Sequence, residues 1–168
     1  MSAIENLTII VAMARDKAIG DKGDLLCRLS GDLKRFKALT MGHAVIMGRK
    51  TFDSLPKGAL PGRRNVVITR NKDFSGPDVK TASSLAEALA LTADEEKRFI
   101  IGGAQIYAEA YPYASTLEMT EIEAEFPQAD TRLNCFNPED WMIEEESELI
   151  EADEKNAKPY RFVTLRRK

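Results

Sequence analysis

Two short apolar runs in this chain each stop at glycine and pass straight into a helical pattern, and that pairing limits the folds open to it. The first is Ala44-Val45-Ile46-Met47-Gly48-Arg49-Lys50-Thr51-Phe52. The second is Phe99-Ile100-Ile101-Gly102-Gly103-Ala104-Gln105-Ile106-Tyr107, whose helix groups Ile106, Tyr107 and Ala110 on neighbouring faces and ends at Pro112. An apolar run closed by glycine fits a buried strand, and the missing Cβ lets backbone or ligand come close. A helix beginning near Thr51 would turn unpaired N–H groups and a positive dipole end towards a phosphate, with Arg49 as a fork and Lys50 as a point charge. Taken alone, the first segment is equally a buried strand followed by a basic surface turn. Two such junctions together suggest a ligand with several phosphates lying across the carboxyl ends of parallel strands. Three spaced glycines followed by an acid about 20 residues on are missing, which disfavours an ordinary dinucleotide-binding domain but not a phosphate-bearing cofactor.

Charge sharpens that expectation. Between Arg49 and Lys72 seven basic residues face one acid, Asp53, whereas Glu139 to Glu154 holds nine acids and no base. A net charge of -3 is too acidic for general nucleic-acid binding, and a local basic block suits a small polyanion. The acidic block reads as a solvated strand face and loop. At 168 residues the expectation is one domain over 1–168. No apolar stretch is long enough to span a bilayer, and Met1 to Asn6 shows no secretory pattern, so the expectation is no membrane association and a cytoplasmic location. Cys27 and Cys135 are too few for a zinc site or disulfide framework and read as two reduced thiols. His43, the single histidine, reads as a loop residue, which removes His-dependent triads and multi-histidine metal sites; no metal is expected.

The pattern of elements is that of an α/β domain: a mostly parallel central sheet with flanking helices and an antiparallel C-terminal hairpin. Leu7–Ala14 is a central strand and Asp16–Asp24 a polar loop. Ser30-Gly31-Asp32 opens a helix with Leu29, Leu33, Phe36 and Thr40 on one face and Lys34, Arg35 and Lys37 mostly outward. Strands follow at Val45–Gly48 and Asn65–Thr69, joined by a turn-rich connection at Lys57–Arg64. Ser84-Leu85-Ala86-Glu87 is a capping box opening a helix to about Leu91. Phe99–Gly102 is a strand and Leu117–Phe126 a longer one. There the apolar parity changes from Leu117 and Met119 to Ile122, Ala124 and Phe126, which predicts a bulge near Thr120-Glu121. Trp141–Leu149 and Tyr160–Arg166 form the hairpin across a polar loop at Asp153–Lys158.

Asp32, on an amphipathic helix beside Leu33 and Phe36, is either a first-turn acid favoured by the dipole or a carboxylate among apolar groups with a raised pKa, able to pair with a flat two-donor cation. At this point the chain resembles the dihydrofolate reductase family. The matching segments run in order over nearly its whole length. They are Ile10-Val11-Ala12, Ile19-Gly20, Asp32-Leu33 with Phe36-Lys37, Ile46 to Thr51, Leu60-Pro61-Gly62-Arg63, Ile101-Gly102-Gly103 with Tyr107, Thr120, and Asp130-Thr131.

The resemblance implies an NADPH-dependent reductase converting 7,8-dihydrofolate to tetrahydrofolate, by hydride transfer from cofactor C4 to pterin C6 and protonation at N5, in support of one-carbon metabolism. It implies antifolate inhibitors as further ligands and a monomer as the usual state. Asp32 resembles the family's acid, supported by Thr120. Leu33, Phe36 and Lys37, with Leu55 and Leu60 opposite, resemble the substrate pocket, and Arg63 the arginine on the glutamate α-carboxylate. Ile10, Val11, Ala12 and Ile101 resemble the strand ends at the pterin, near Tyr107. On the cofactor side, Ala12, Ile19 and Gly20 would border the nicotinamide. Gly48, Arg49, Lys50, Thr51, Ile101, Gly102, Gly103, Ala104, Gln105, Ile106 and Tyr107 would meet the rest, and Arg49, Ile68, Thr69 and Arg70 would surround the 2′-phosphate end. The family joins its paired glycines by a cis peptide. Cys27 and Ser30 stand where the family usually has tryptophan and often proline, which predicts a looser or differently hydrated pocket. A folate- or NADPH-binding module without turnover, and a same-fold reductase for a pyrimidine ribityl phosphate, are the alternatives.

Overall fold

The protein, described here by a computed structural model over residues 2–23 and 25–168, has its elements strung along one twisted sheet. Met1 and Asp24, and with them the ends of the expectations placed on Met1–Asn6 and Asp16–Asp24, lie outside the described residues. In chain order the elements are β1 (Ile4–Ala14), β2 (Ala18–Gly20), α1 (Ser30–Thr40), β3 (Ala44–Gly48), α2 (Arg49–Ser54), β4 (Arg64–Ile68) and β5 (Val79–Ala82). They continue with α3 (Leu85–Leu91), β6 (Arg98–Gly102), α4 (Ala104–Ala110), β7 (Ala114–Ile122), β8 (Thr131–Arg132), β9 (Trp141–Glu146) and β10 (Tyr160–Arg167).

Eight strands form the main sheet in the order β5-β4-β3-β6-β1-β7-β10-β9. The six from β5 to β7 run parallel, and β10 and β9 close the far side as the antiparallel hairpin read from the sequence. β6 drops into the gap between β3 and β1, pairing Ile100 with both Ile46 and Ile9. The carboxyl ends of three strands distant in sequence therefore stand side by side, which is where α/β sheets bind ligands.

Parity decides the layers. Leu7, Ile9, Val11 and Met13 of β1, Leu117 and Met119 of β7, and Val163 and Leu165 of β10 enter one core with Ile106, Tyr107 and Ala110 of α4 and Leu85 and Ala88 of α3. The opposite face is covered by α1 and the loops beside it. There Leu29 packs with Ala14, Ala18, Ile122, Phe126 and Tyr160. Ser84 caps α3, its hydroxyl accepting the Glu87 N–H at 3.1 Å, and the Glu87 carboxylate reaches back to Ser83, as the capping box predicts with the return shifted by one residue.

Four expectations change. The Asp16–Asp24 segment contains a short strand, Ala18–Gly20, paired antiparallel with Thr131–Arg132; its three residues are too few to show a period. Val79–Ala82 is an edge strand that its Lys80 and Thr81 hide from an apolar-pattern reading. The basic-turn helix begins at Arg49, with Gly48 as its cap, rather than near Thr51. No bulge occurs at Thr120-Glu121, because the β7 register runs unbroken against β1 from Thr116 to Ile122 and against β10 over the same residues. The parity change has another cause. β7 is covered on both faces, so Glu118, Thr120 and Ile122 are buried as well as Leu117 and Met119, and Ala124 and Phe126 lie beyond the strand.

Candidate active site

α1 carries Asp32 in its first turn, three residues after Leu29, the residue that caps the helix with backbone alone. The side chain does not cap. It is drawn onto the sheet, where the Thr120 hydroxyl of β7 donates to Asp32 Oδ1 at 2.5 Å. Burial pushes the Asp32 carboxyl above its ordinary range, while the Thr120 hydrogen bond and the nearby Arg35 guanidinium pull the other way. Of the two readings open in the sequence, the carboxylate among apolar groups is the one the geometry matches. A small cleft beside it is lined by Ala12, Ile19, Cys27, Leu29, Leu33 and Ile122. Cys27 is thus beside the acid, a free thiol pushed up by burial.

The start of α1 is held from outside. The Ser30 and Gly31 amides donate to the Lys155 carbonyl and Asn156 Oδ1, both at 3.0 Å, and the Ala157 amide donates to the Arg28 carbonyl. Gly31 is needed here because any Cβ would run into the Tyr160 hydroxyl.

At the strand ends, Tyr107 of α4 is buried and donates its hydroxyl to the Ile10 carbonyl at 2.8 Å. Val11 is buried, and Ile10, Ala12 and Ile101 are half-buried. The Gly102–Gly103 peptide is cis, as the resemblance implies, and Gly102 has φ +133°. Met47 and Gly102 are register partners, so Gly48 and Gly103 open α2 and α4 next to each other, and neither cap is a side chain. A Cβ at Gly48 would sit 3.2 Å from Ile106 Cγ1, and one at Gly102 3.2 Å from Thr51 Oγ1. Small residues are therefore required where the two helix starts converge.

Arg49 pairs with Asp53 at 3.0 Å and lies over the Phe74 ring at 4.1 Å from its centroid. Lys50, Arg70 and Gln105 are exposed, and Ala104, Ile68 and Thr69 are half-buried. Ile19 and Gly20 are the last two residues of β2, across from β8. Phe36, Leu55 and Leu60 are half-buried, Leu33 is 45% exposed and Lys37 is exposed; Leu55 and Leu60 pack against the cluster of Val45, Met47, Val67 and Phe99. Arg63 donates to the Pro61 carbonyl at 2.9 Å and to the Thr40 hydroxyl at 3.2 Å, which orients its guanidinium. Of the predicted residues, Gly48, Arg49, Gly102, Gly103 and Arg70 lie at or just past the carboxyl ends of β3, β6 and β4, Asp32 docks on Thr120 of β7, and Arg63 stands at the amino end of β4 beside the end of α1.

The match to the dihydrofolate reductase family description covers residues 6–167. The chain belongs to the dihydrofolate reductase family. It is 43% identical to the dihydrofolate reductase type 3 of Salmonella typhimurium over 161 residues, 96% of this chain and 98% of that one. It is 39% identical to the dihydrofolate reductase of Bacillus subtilis over 162 residues, 96% and 95% of the two chains. Its fold is similar to that of a solved dihydrofolate reductase from Enterococcus faecalis complexed with NADP(H) and RAB-propyl. The TM-score there is 0.87 at 30% identity, covering 96% and 95%.

Within this family site, sequence reasoning placed Lys34, Arg35 and Lys37 mostly outward, and Arg35 is the exception. Its guanidinium turns inward to Glu118 of β7 at 2.8 Å. The signal was present: an acid between Leu117 and Met119 in a covered strand needs a cation. The docking of Asn156 onto Gly31 left no such signal, because it joins two loops with no shared pattern.

Proposed function

We propose that this chain reduces 7,8-dihydrofolate to 5,6,7,8-tetrahydrofolate with NADPH and one proton, and that Asp32 is the acid on which the reaction turns. The observation that carries the assignment of Asp32 is its half-buried carboxyl, fixed by Thr120 beside an apolar cleft. A carboxyl so placed can accept from two adjacent N–H groups of a flat heterocycle and raise the proton affinity of the ring nitrogen that must be protonated. Tyr107, held on the Ile10 carbonyl, would stand near the ring at the strand ends. Phe36, Leu55 and Leu60 would exclude water from the substrate's middle, and Arg63, already oriented by Pro61 and Thr40, would fork onto its α-carboxylate.

The convergent glycines and the basic block fit a dinucleotide with phosphates. When bound, NADPH would supply the hydride. Gly48 to Thr51 and Gly103 to Ile106 would hold its pyrophosphate, Ala12, Ile19 and Gly20 would border its nicotinamide, and Arg49, Thr69 and Arg70 would take the 2′-phosphate. We also read residues 1–168 as one domain, acting as a cytoplasmic monomer; light scattering on the purified protein tests the last point. Among the described residues no helix is long and apolar enough to cross a membrane.

The test is NADPH oxidation on adding dihydrofolate, with Asp32→Asn in parallel. Turnover in the parent chain and a loss of about a hundredfold or more in the variant, largest at neutral pH and above, is the expected result. Equal rates would remove Asp32 from its role. Saturable binding of both ligands without turnover would make the chain a binding module.

A further inference from the structure

β7 sets Glu118 and Thr120 on the same face, two residues apart, and α1 sets Asp32 and Arg35 on the same side, one turn apart. The two elements meet as two rungs: Thr120 to Asp32 at 2.5 Å, and Glu118 to Arg35 at 2.8 Å. Glu118 is 7% exposed, and its neighbours in register are Ile10 of β1 and Thr164 of β10. Phe162 of β10, the register partner of Thr120, lies under Arg35, whose guanidinium carbon is 4.5 Å from the ring centroid. Arg35 is therefore held on two sides, by a carboxylate and by an aromatic face. A long cation on a helix surface ordinarily extends into water. This one is fixed over the sheet one turn from the acid.

We propose that Arg35 and Glu118 are positioning residues for the reductase reaction, a balanced charge pair that holds the field at Asp32 and so sets the pH at which the acid–pterin site gains its proton. This rests on the reading of Asp32 given above. The groups facing Asp32 from each packed element are few. They are Arg35 on α1, Thr120 and, through Arg35, Glu118 on β7, Tyr107 on α4, Tyr160 on β10, and Cys27 in the preceding loop. Burial pushes both phenols and the thiol upward, so they stay neutral at neutral pH. Lys158, which acts on Cys27, and Glu145 and Glu146, which line the hollow beside Arg35, are the further charges nearby; within the two rungs the charges are those of Arg35 and Glu118. Arg35 favours the ionised acid and Glu118 disfavours it, and the short ion pair fixes the ratio of the two effects. Whichever atom of the acid–pterin pair holds the proton, removing the nearby cation strengthens its hold and removing the nearby anion weakens it.

The experiment is the pH profile of kcat/KM for dihydrofolate in the parent chain, Arg35→Met, Arg35→Lys, Glu118→Gln, the double variant Arg35→Met/Glu118→Gln, and Asp32→Asn. Arg35→Met should move the alkaline break upward. One unit above the parent's break, its kcat/KM relative to its own acid plateau should rise about threefold, equivalent to half a pH unit. Glu118→Gln should move the break downward by a similar factor, and the double variant and Arg35→Lys should lie close to the parent. Opposite shifts that cancel are not produced by a pair that only stabilises the fold, which would lower the plateau or raise KM in every variant. Should Arg35→Met fail to fold, the downward shift in Glu118→Gln alone carries the test. If the break is lost in Asp32→Asn yet stays in place in the Arg35 and Glu118 variants, this inference is overturned and the role of Asp32 stands. If Asp32→Asn keeps the parent's break, the reading of Asp32 fails and takes this inference with it.

Discussion

The carboxyl of Asp32 sits above its ordinary value of 3.8 chiefly because burial removes water, with Thr120 and Arg35 offsetting part of that effect. In linkage terms the folded state then binds the proton more tightly than the unfolded state does. Stability is lost as pH rises from about 3.8 through the raised folded value, and at neutral pH the ionised acid weakens the fold. Asp32→Asn, which keeps an acceptor for Thr120 without the charge, should therefore melt at a higher temperature than the parent at pH 7. The gain should shrink towards zero below about pH 4, as thermal melts across that range would reveal. A gain independent of pH would mean that packing, not ionisation, sets it. The same substitution should cost most of the activity, so stability and turnover are opposed at this one side chain.

Among the elements, the loop between β9 and β10 holds a segment it does not adjoin in sequence, the start of α1. Asn156 is buried, accepts from Gly31 N and donates to Asp153 at 2.9 Å, and Leu29 and Asn156 form an isolated bridge. Asn156→Ala would leave the Gly31 amide without its partner at the turn that carries Asp32. The expected cost is about 1–3 kcal/mol, read as a fall in Tm of roughly 2–4 °C per kcal/mol. A rise in KM for dihydrofolate should accompany it, since the acid's helix start is loosened. An unchanged KM with lowered Tm would confine the loop to a structural role. Legibility in the sequence follows the same division. The parallel strands other than β5, with α1, α3 and α4 and the hairpin, were readable because apolar runs, a capping box and glycine stops report local structure. Asp32, Thr120 and the glycine pair were readable as a series of motifs. What the sequence hid was pairing at a distance: β2 with β8, Asn156 with Gly31, and Arg35 with Glu118. None of these has a period, and an inward-turned arginine looks like an exposed one until its partner strand is in place.

For the molecule as a whole, the charge is divided rather than spread. Three successive glutamates, Glu144 to Glu146, are exposed on edge strand β9, partly paired with Arg161 and Arg166, while Arg49, Lys50 and Arg70 stand at the ends of the parallel strands. A local positive field in an acidic protein should favour the cofactor bearing the extra phosphate. KM for NADPH is expected to rise severalfold between about 0.05 and 0.5 M salt, with KM for NADH moving less and kcat nearly constant. Equal salt responses for the two cofactors would remove the 2′-phosphate from that field. The strand order has a different kind of consequence. Asp32 and Thr120 are 88 residues apart, and β7, which brings Thr120, is flanked by β1 and β10. During synthesis the acid thus leaves the ribosome long before the strand that receives it, and β7 emerges with one edge unpaired until β10 follows. For that interval the half-built sheet, with the acid already docked on β7, offers an open strand to any neighbouring chain.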